Sequence, residues 1–118
     1  MSDPPPIHTA AVELTEWTLG RTADFPKGQR HTFGQRLDNL CLDALERITR
    51  ARFASSVEER REHLRELNLI LELMRVFWRI VEKRSWISGA QCLHANRLID
   101  EVGRMAGAWL KREKGQAG

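Results

Sequence analysis

The side chains best able to hold a metal or attack an electrophile in this 118-residue chain are four histidines, His8, His31, His63 and His94, and two cysteines, Cys41 and Cys92. Their spacing argues against both chemistries. The histidines sit on four separate segments, and no His-x-x-x-His or Cys-x-x-Cys pair occurs. Cys92-x-His94 points its two side chains about 200° apart around a helix. Glu58-Glu59 and Asp100-Glu101 are paired carboxylates, but helix starts and solvated faces produce such pairs routinely. No glycine-rich phosphate loop leads into an apolar helix. The expectation is a protein with no catalytic centre, no metal and no cofactor.

The cationic side chains are more informative. Fifteen of the nineteen basic residues are arginine, whose planar fork suits phosphates and base stacking better than the lysine point charge. Residues 1–25 carry a net charge of −3, which leaves +6 on the remainder and favours an anionic partner. Lys27, Arg30 and Arg36 cluster where a helix is expected to begin, and exposed backbone N–H groups there already attract anions. Arg36 and Arg50 follow one heptad line with Arg47 beside it, and Arg75 and Arg79 lie one turn apart further on. With Arg104, these are the candidate nucleic-acid contacts. The alternative is pairing with carboxylates three or four residues away, which leaves a neutral face. That alternative is the stronger one for Arg61 and Arg65 and the weaker one for Arg75 and Arg79, which have only Glu72 and Glu82 near. Arg30 is either a ligand contact or a helix-start anchor. Trp17, Trp78 and Trp109 fall on apolar seams and belong to the core. Trp86 is either a base-stacking contact or one half of a hydrophobic staple.

These residues need helices to position them. Prolines occur only at 4, 5, 6 and 26, and no stretch alternates polar and apolar residues for long. A first helix is expected over about Thr9–Ala23, ended by Phe25-Pro26. A second runs over about Gln29–Ala54, with Phe33, Leu37, Leu40, Ala44, Ile48 and Ala51 inward. Ser56-Val57-Glu58-Glu59 and Ser88-Gly89-Ala90-Gln91 match capping boxes that open a third helix, to about Arg84, and a fourth, to about Lys111. Links this short predict an all-α, antiparallel, up-down-up-down four-helix bundle over 9–112. Residues 1–8 and 113–118 are expected to be disordered. The start shows no basic segment leading into an apolar core, and no apolar run approaches the roughly 18 residues of a membrane span. A chain of this size buries roughly 65% of its unfolded surface and needs no staple. Reduced, buried thiols in a cytoplasmic protein follow, with one Cys41–Cys92 bridge as the alternative.

The third helix is too apolar for a lone bundle. Leu64, Leu67, Leu71, Met74, Trp78 and Val81 form one seam, and Ile70, Leu73, Phe77 and Ile80 form a second, with Leu69 and Val76 adding to it. Either another subunit covers the second seam or helices one and four wrap around it; self-association is the reading taken. Gly103-x-x-x-Gly107 in the fourth helix costs about 1 kcal/mol per glycine, which suggests close helix approach and adds both glycines to the expected oligomer interface, with fraying at a helix end as the alternative.

Three stretches together resemble a known family: Phe25-Pro26-Lys27-Gly28-Gln29-Arg30-His31-Thr32-Phe33-Gly34-Gln35-Arg36-Leu37, Leu67-Asn68-Leu69 with Glu72-Leu73-Met74-Arg75, and Ile99-Asp100-Glu101-Val102-Gly103-Arg104-Met105-Ala106-Gly107-Ala108-Trp109. They are similar to segments of the Avd family, the accessory proteins of diversity-generating retroelements, which are related to proteins encoded by intervening sequences of 23S ribosomal RNA genes. The resemblance covers roughly Trp17 to Lys111. It implies a homopentamer with a basic surface that binds RNA or DNA and a partner reverse transcriptase, and no membrane. The other function weighed is an oligomeric helical scaffold that docks a protein partner and has no nucleic-acid role.

Overall fold

Four helices carry the chain in the computed structural model, which describes residues 5–117, with side chains through Glu113. They are α1 (Pro6–Thr22), α2 (Gln35–Arg52), α3 (Val57–Lys83) and α4 (Gly89–Ala117), and the described residues contain no strand. Each helix packs along the next and α4 returns to α1, so the four surround one core in a bundle about 48 Å long.

Helix boundaries depart from the sequence expectation in three places. The first helix begins at Pro6 rather than Thr9. Proline is tolerated in a first turn, where its missing N–H had no partner to lose, and burial of Ile7 draws that turn onto the core. The last helix continues to Ala117, because buried Glu113 accepts from Arg60 and Trp109 and holds the final turns in place. Residues 1–4 and 118, expected to be disordered, lie outside the described residues. The second helix does not start at Gln29. A 3₁₀ turn at Lys27–Gln29 passes into a π-helical turn at Arg30–Gly34 before regular helix begins at Gln35.

Both expected caps form. Ser56 Oγ accepts from Glu59 N at 3.1 Å, although the Glu59 carboxylate reaches back one residue further, to Ser55 N and Oγ at 3.0 Å. Those bonds hold the Glu59 carboxyl below its ordinary pKa. At α4 the box is reciprocal: Gln91 N donates to Ser88 Oγ and Ser88 N donates to Gln91 Oε1. The end of α3 is a Schellman turn, with Ser85 N bonded to Glu82 O and Trp86 N to Val81 O.

The first seam of α3 is the bundle's centre. Leu64, Leu67, Leu71, Met74, Trp78 and Val81 are all fully buried, facing Leu14 of α1, Leu37 and Ile48 of α2, and Ile99 and Val102 of α4. Cys41 and Cys92 are buried free thiols. Arg60 clamps one end of the bundle, donating to Ala51 O, to Ala54 O and to Glu113 across the bundle.

The Schellman turn places Ser85 at φ 61°, in the left-handed region that costs an L-residue roughly 1–2 kcal/mol. Ser85→Gly is expected to raise stability by about 0.5–1 kcal/mol after glycine's greater unfolded-state entropy is offset. A shift of the urea midpoint to higher concentration at unchanged slope checks it.

Candidate nucleic-acid interface

The segment Phe25–Gly34 is held by aromatic contacts rather than by regular helix. Phe25 is buried against Trp78 and Trp86, with ring centroids at 6.2 and 5.6 Å. Phe33 lies 4.9 Å from Phe77 and 5.8 Å from Trp86. This cluster ties the α1–α2 link to the end of α3 and to the α3–α4 link. Trp86 is therefore half-buried in a protein contact, with Phe25 and Phe33 as its aromatic partners. Arg30 donates its Nε to Phe25 O at 3.0 Å and so anchors the turn. That bond uses no carboxylate, so the Arg30 charge stays uncompensated.

The same cluster brings two sets of cations to one end of the bundle. Lys27, Arg30 and Arg36 come from the link and the start of α2, and Arg79, Lys83 and Arg84 come from the end of α3. All six are exposed. Among the described residues none lies within ion-pair distance of a carboxylate. The nearby Asp38 is occupied, accepting from Thr22 Oγ1 at 2.7 Å, and burial pushes its carboxyl above the ordinary range. Lys83 and Arg84 were not singled out from sequence, where cations at a helix C-terminus look like partners for its carbonyls. The short links on either side of α3 were the signal that its end lies at the same end of the bundle as the start of α2.

The other candidate cations are engaged elsewhere. Arg75 is bonded to Glu72 at 3.0 Å and to Asp100 of α4 at 2.9 Å. Arg104 pairs with Glu101. Both line a groove of about 750 Å³ between α3 and α4, where Arg75, Arg97 and Arg104 are balanced by Glu72, Asp100 and Glu101. Arg50 pairs with Glu46 at 3.3 Å, and Arg47 Nη1 lies 3.1 Å from His63 Nδ1. Arg50 is also about 21 Å along the helix from Arg36, so the expected line of arginines makes no common site. Arg61 and Arg65 both pair with Glu58, in line with the neutral face expected for them.

The expected interface residues divide similarly. Ile70 is buried within its own bundle, and Phe77 is half-buried against Phe33. Leu73 and Ile80 are exposed, and so are Leu69 and Val76. At about 100° per residue these four make one line directly opposite the core seam. The open apolar ridge is therefore Leu69, Leu73, Val76 and Ile80. Gly103 faces its own α3, where a methyl group would touch Arg75 Nη2 at 3.5 Å and Leu71 at 3.6 Å. Gly107 is exposed, with open space around it.

Among the described residues, no group of three or more His, Cys, Asp or Glu side chains is placed to hold a metal ion. No described helix is long and apolar enough to cross a membrane.

Fold and site together define a small four-helix-bundle protein with an uncompensated basic end and an apolar ridge on its outer surface. Residues 7–113 match the family model described as bAvd-like, and the chain belongs to that family. A comparison with curated proteins finds no match.

Burial pushes the Cys41 and Cys92 thiols up to about 11 from 9.0, so the reactive thiolate is scarce in the folded protein near neutral pH. Iodoacetamide is expected to leave both unmodified under native conditions and to label both in denaturant, read by mass spectrometry. Because the unfolded thiols ionise first, stability falls as pH rises past 9 and levels off above about 11.

Proposed function

We propose that this protein is an accessory factor of a diversity-generating retroelement that holds template RNA or its DNA copy beside the element's reverse transcriptase in the cytoplasm. Membership of the bAvd-like family supports the retroelement role. One observation carries the nucleic-acid role: Lys27, Arg30, Arg36, Arg79, Lys83 and Arg84 converge on one end of the bundle with no carboxylate paired to any of them among the described residues. Unpaired cations gain more from a phosphate than cations already in ion pairs, because no existing contact is given up. Such an end binds phosphates and does not read bases, so it suits a factor that holds many templates. Arg47, Arg50, Arg75 and Arg104 have lesser parts here, since each already has a side-chain partner.

The helices run antiparallel, up-down-up-down. Support comes from the short links and from the pairing of Arg60 near the start of α3 with Glu113 near the end of α4. Copies of the bundle assemble, as a homopentamer by family resemblance, and the ridge on α3 supplies apolar surface for that assembly. Assembly multiplies the basic ends and so strengthens their hold on one strand.

The variant Lys27→Glu/Arg36→Glu/Arg79→Glu is expected to bind single-stranded RNA at least about tenfold more weakly at low salt, with a shallower salt dependence. Arg75→Gln should change affinity less than about threefold. Fluorescence anisotropy across a salt series measures both, and sedimentation velocity checks that assembly is unchanged. RNA affinity equal to wild type in the triple variant would show the basic end to be wrongly assigned. An assembly indifferent to RNA at every salt would favour the scaffold role, with the ridge as its docking surface.

A further inference from the structure

The end of α2 far from the basic residues carries a pocket of about 460 Å³. Arg52, which lines it, is about 24 Å along the helix from Arg36. Pro6 and Ile7 of α1 and Met105, Ala108 and Trp109 of α4 supply its apolar lining. Arg52 and Arg112 complete the lining. Both are exposed, and neither has an ion-pair partner among the described residues.

The walls are held by bonds already made. Trp109 Nε1 donates to Glu113 Oε1 at 3.2 Å, and Arg60 donates to the other oxygen of that carboxylate at 3.2 Å. Arg60 also donates to Ala51 O and Ala54 O, so it ties the α4 wall to the end of α2 that carries Arg52. Arg52 itself lies over the Phe53 ring, 5.2 Å from its centroid. Stacking uses the face of a guanidinium and leaves its N–H donors, which lie in the plane, for an acceptor. Phe53 is 73% exposed, the most exposed of the large apolar side chains among the described residues, so apolar surface continues beyond the pocket.

We infer that this pocket docks a segment of a partner protein in which an apolar side chain stands next to a carboxylate. The apolar side chain fills the space beside Ile7, Met105 and Trp109, and Arg52 and Arg112 meet the carboxylate, which belongs either to a chain end or to an acidic side chain. A nucleotide base suits this lining less well. Base edges carry donors and acceptors that an apolar lining leaves unpaired, and the Trp109 N–H is already taken by Glu113. The pocket stands apart from the assembly and nucleic-acid roles proposed above, and its distance from the basic end lets both ends be occupied at once.

Fluorescence anisotropy with a labelled peptide, Gly-Ser-Gly-Leu-Asp-Leu with a free terminal carboxylate, tests this on the full-length chain. Saturable binding is expected, weakened at least about tenfold when the peptide is amidated and its aspartate replaced by asparagine. A loss on amidation alone would assign the carboxylate to a chain end, and a loss on asparagine substitution alone to a side chain; either supports the inference. Arg52→Gln/Arg112→Gln replaces two exposed side chains, so folding should be little affected, and is expected to cause a similar loss. That variant should bind single-stranded RNA as wild type does, and Lys27→Glu/Arg36→Glu/Arg79→Glu should bind the peptide as wild type does. No saturable binding, or equal binding of the neutral peptide, would overturn the inference. Undiminished binding to the Arg52→Gln/Arg112→Gln chain would put the peptide elsewhere and overturn it too. Displacement of the peptide by RNA, with RNA affinity lowered in that variant, would make the pocket a nucleic-acid subsite instead. Binding seen only after Asp3→Asn would mean that the chain's own start supplies the carboxylate, and would overturn a partner as the occupant.

Discussion

The burial of Trp78 is the constraint on which the rest of the bundle depends. The side chain is fully buried, Trp17 of α1 packs 5.3 Å from its ring, Phe25 meets it edge-on, and its carbonyl receives the Cys92 thiol of α4. One residue of α3 thereby fixes the positions of α1, α4 and the link that leads to α2. Aromatic pairs of this kind contribute about 0.5–1.5 kcal/mol each beyond their buried area. Their larger effect here is geometric. Phe25 is held by Trp78, Phe25 and Phe33 hold Trp86, and the irregular turn carrying Lys27 and Arg30 is stretched between them. The basic end therefore rests on a core contact rather than on a mobile loop.

Ion pairing between helices then sorts the arginines. Arg60 is nearly buried with Glu113, and breaking such a pair leaves an uncompensated charge, a matter of about 3–5 kcal/mol for fully buried cases and less for this partly exposed one. Arg75 is held between Glu72 on its own helix and Asp100 on the next. Neither contact adds much stability where solvent screens it, but each removes a cation from the pool available to a phosphate. Six of the cations left unpaired among the described residues lie at the end where the α1–α2 turn meets the end of α3. The proposed hold on an anionic partner rests on these six side chains and not on the modest net charge of +3.

The outer surface of α3 carries a different kind of information. A helix with apolar lines on opposite sides has two faces to cover, and its own bundle covers only one. In the sequence both seams are visible, but their membership is partly blurred. Ile70 and Phe77 belong with the bundle because Phe33 reaches Phe77 from the irregular turn, which no local periodicity foretells. Leu69 and Val76 replace them on the open face.

Much of the architecture follows from local chemistry that a single chain segment carries by itself. Serines at 56 and 88 with Glu59 and Gln91 three residues later start α3 and α4, because a side-chain oxygen and an orphan N–H need only one turn of helix to meet. The core seam of α3 follows from helical spacing alone, and every residue expected on it is buried. Pairs within one helix, such as Arg50 with Glu46 and Arg104 with Glu101, follow from spacing, but the pairs between helices were decided only by the tertiary structure. Arg75 meets Asp100 across 25 residues of sequence and Arg60 meets Glu113 across 53. Spacing within one helix cannot reveal such pairs, because they depend on which faces two helices turn toward each other. The helix ends at Pro6 and Ala117 were decided in the same way, by burial of Ile7 and Glu113 against neighbouring helices. Local propensity states where a helix is able to begin and end; contact with the other helices settles where it does.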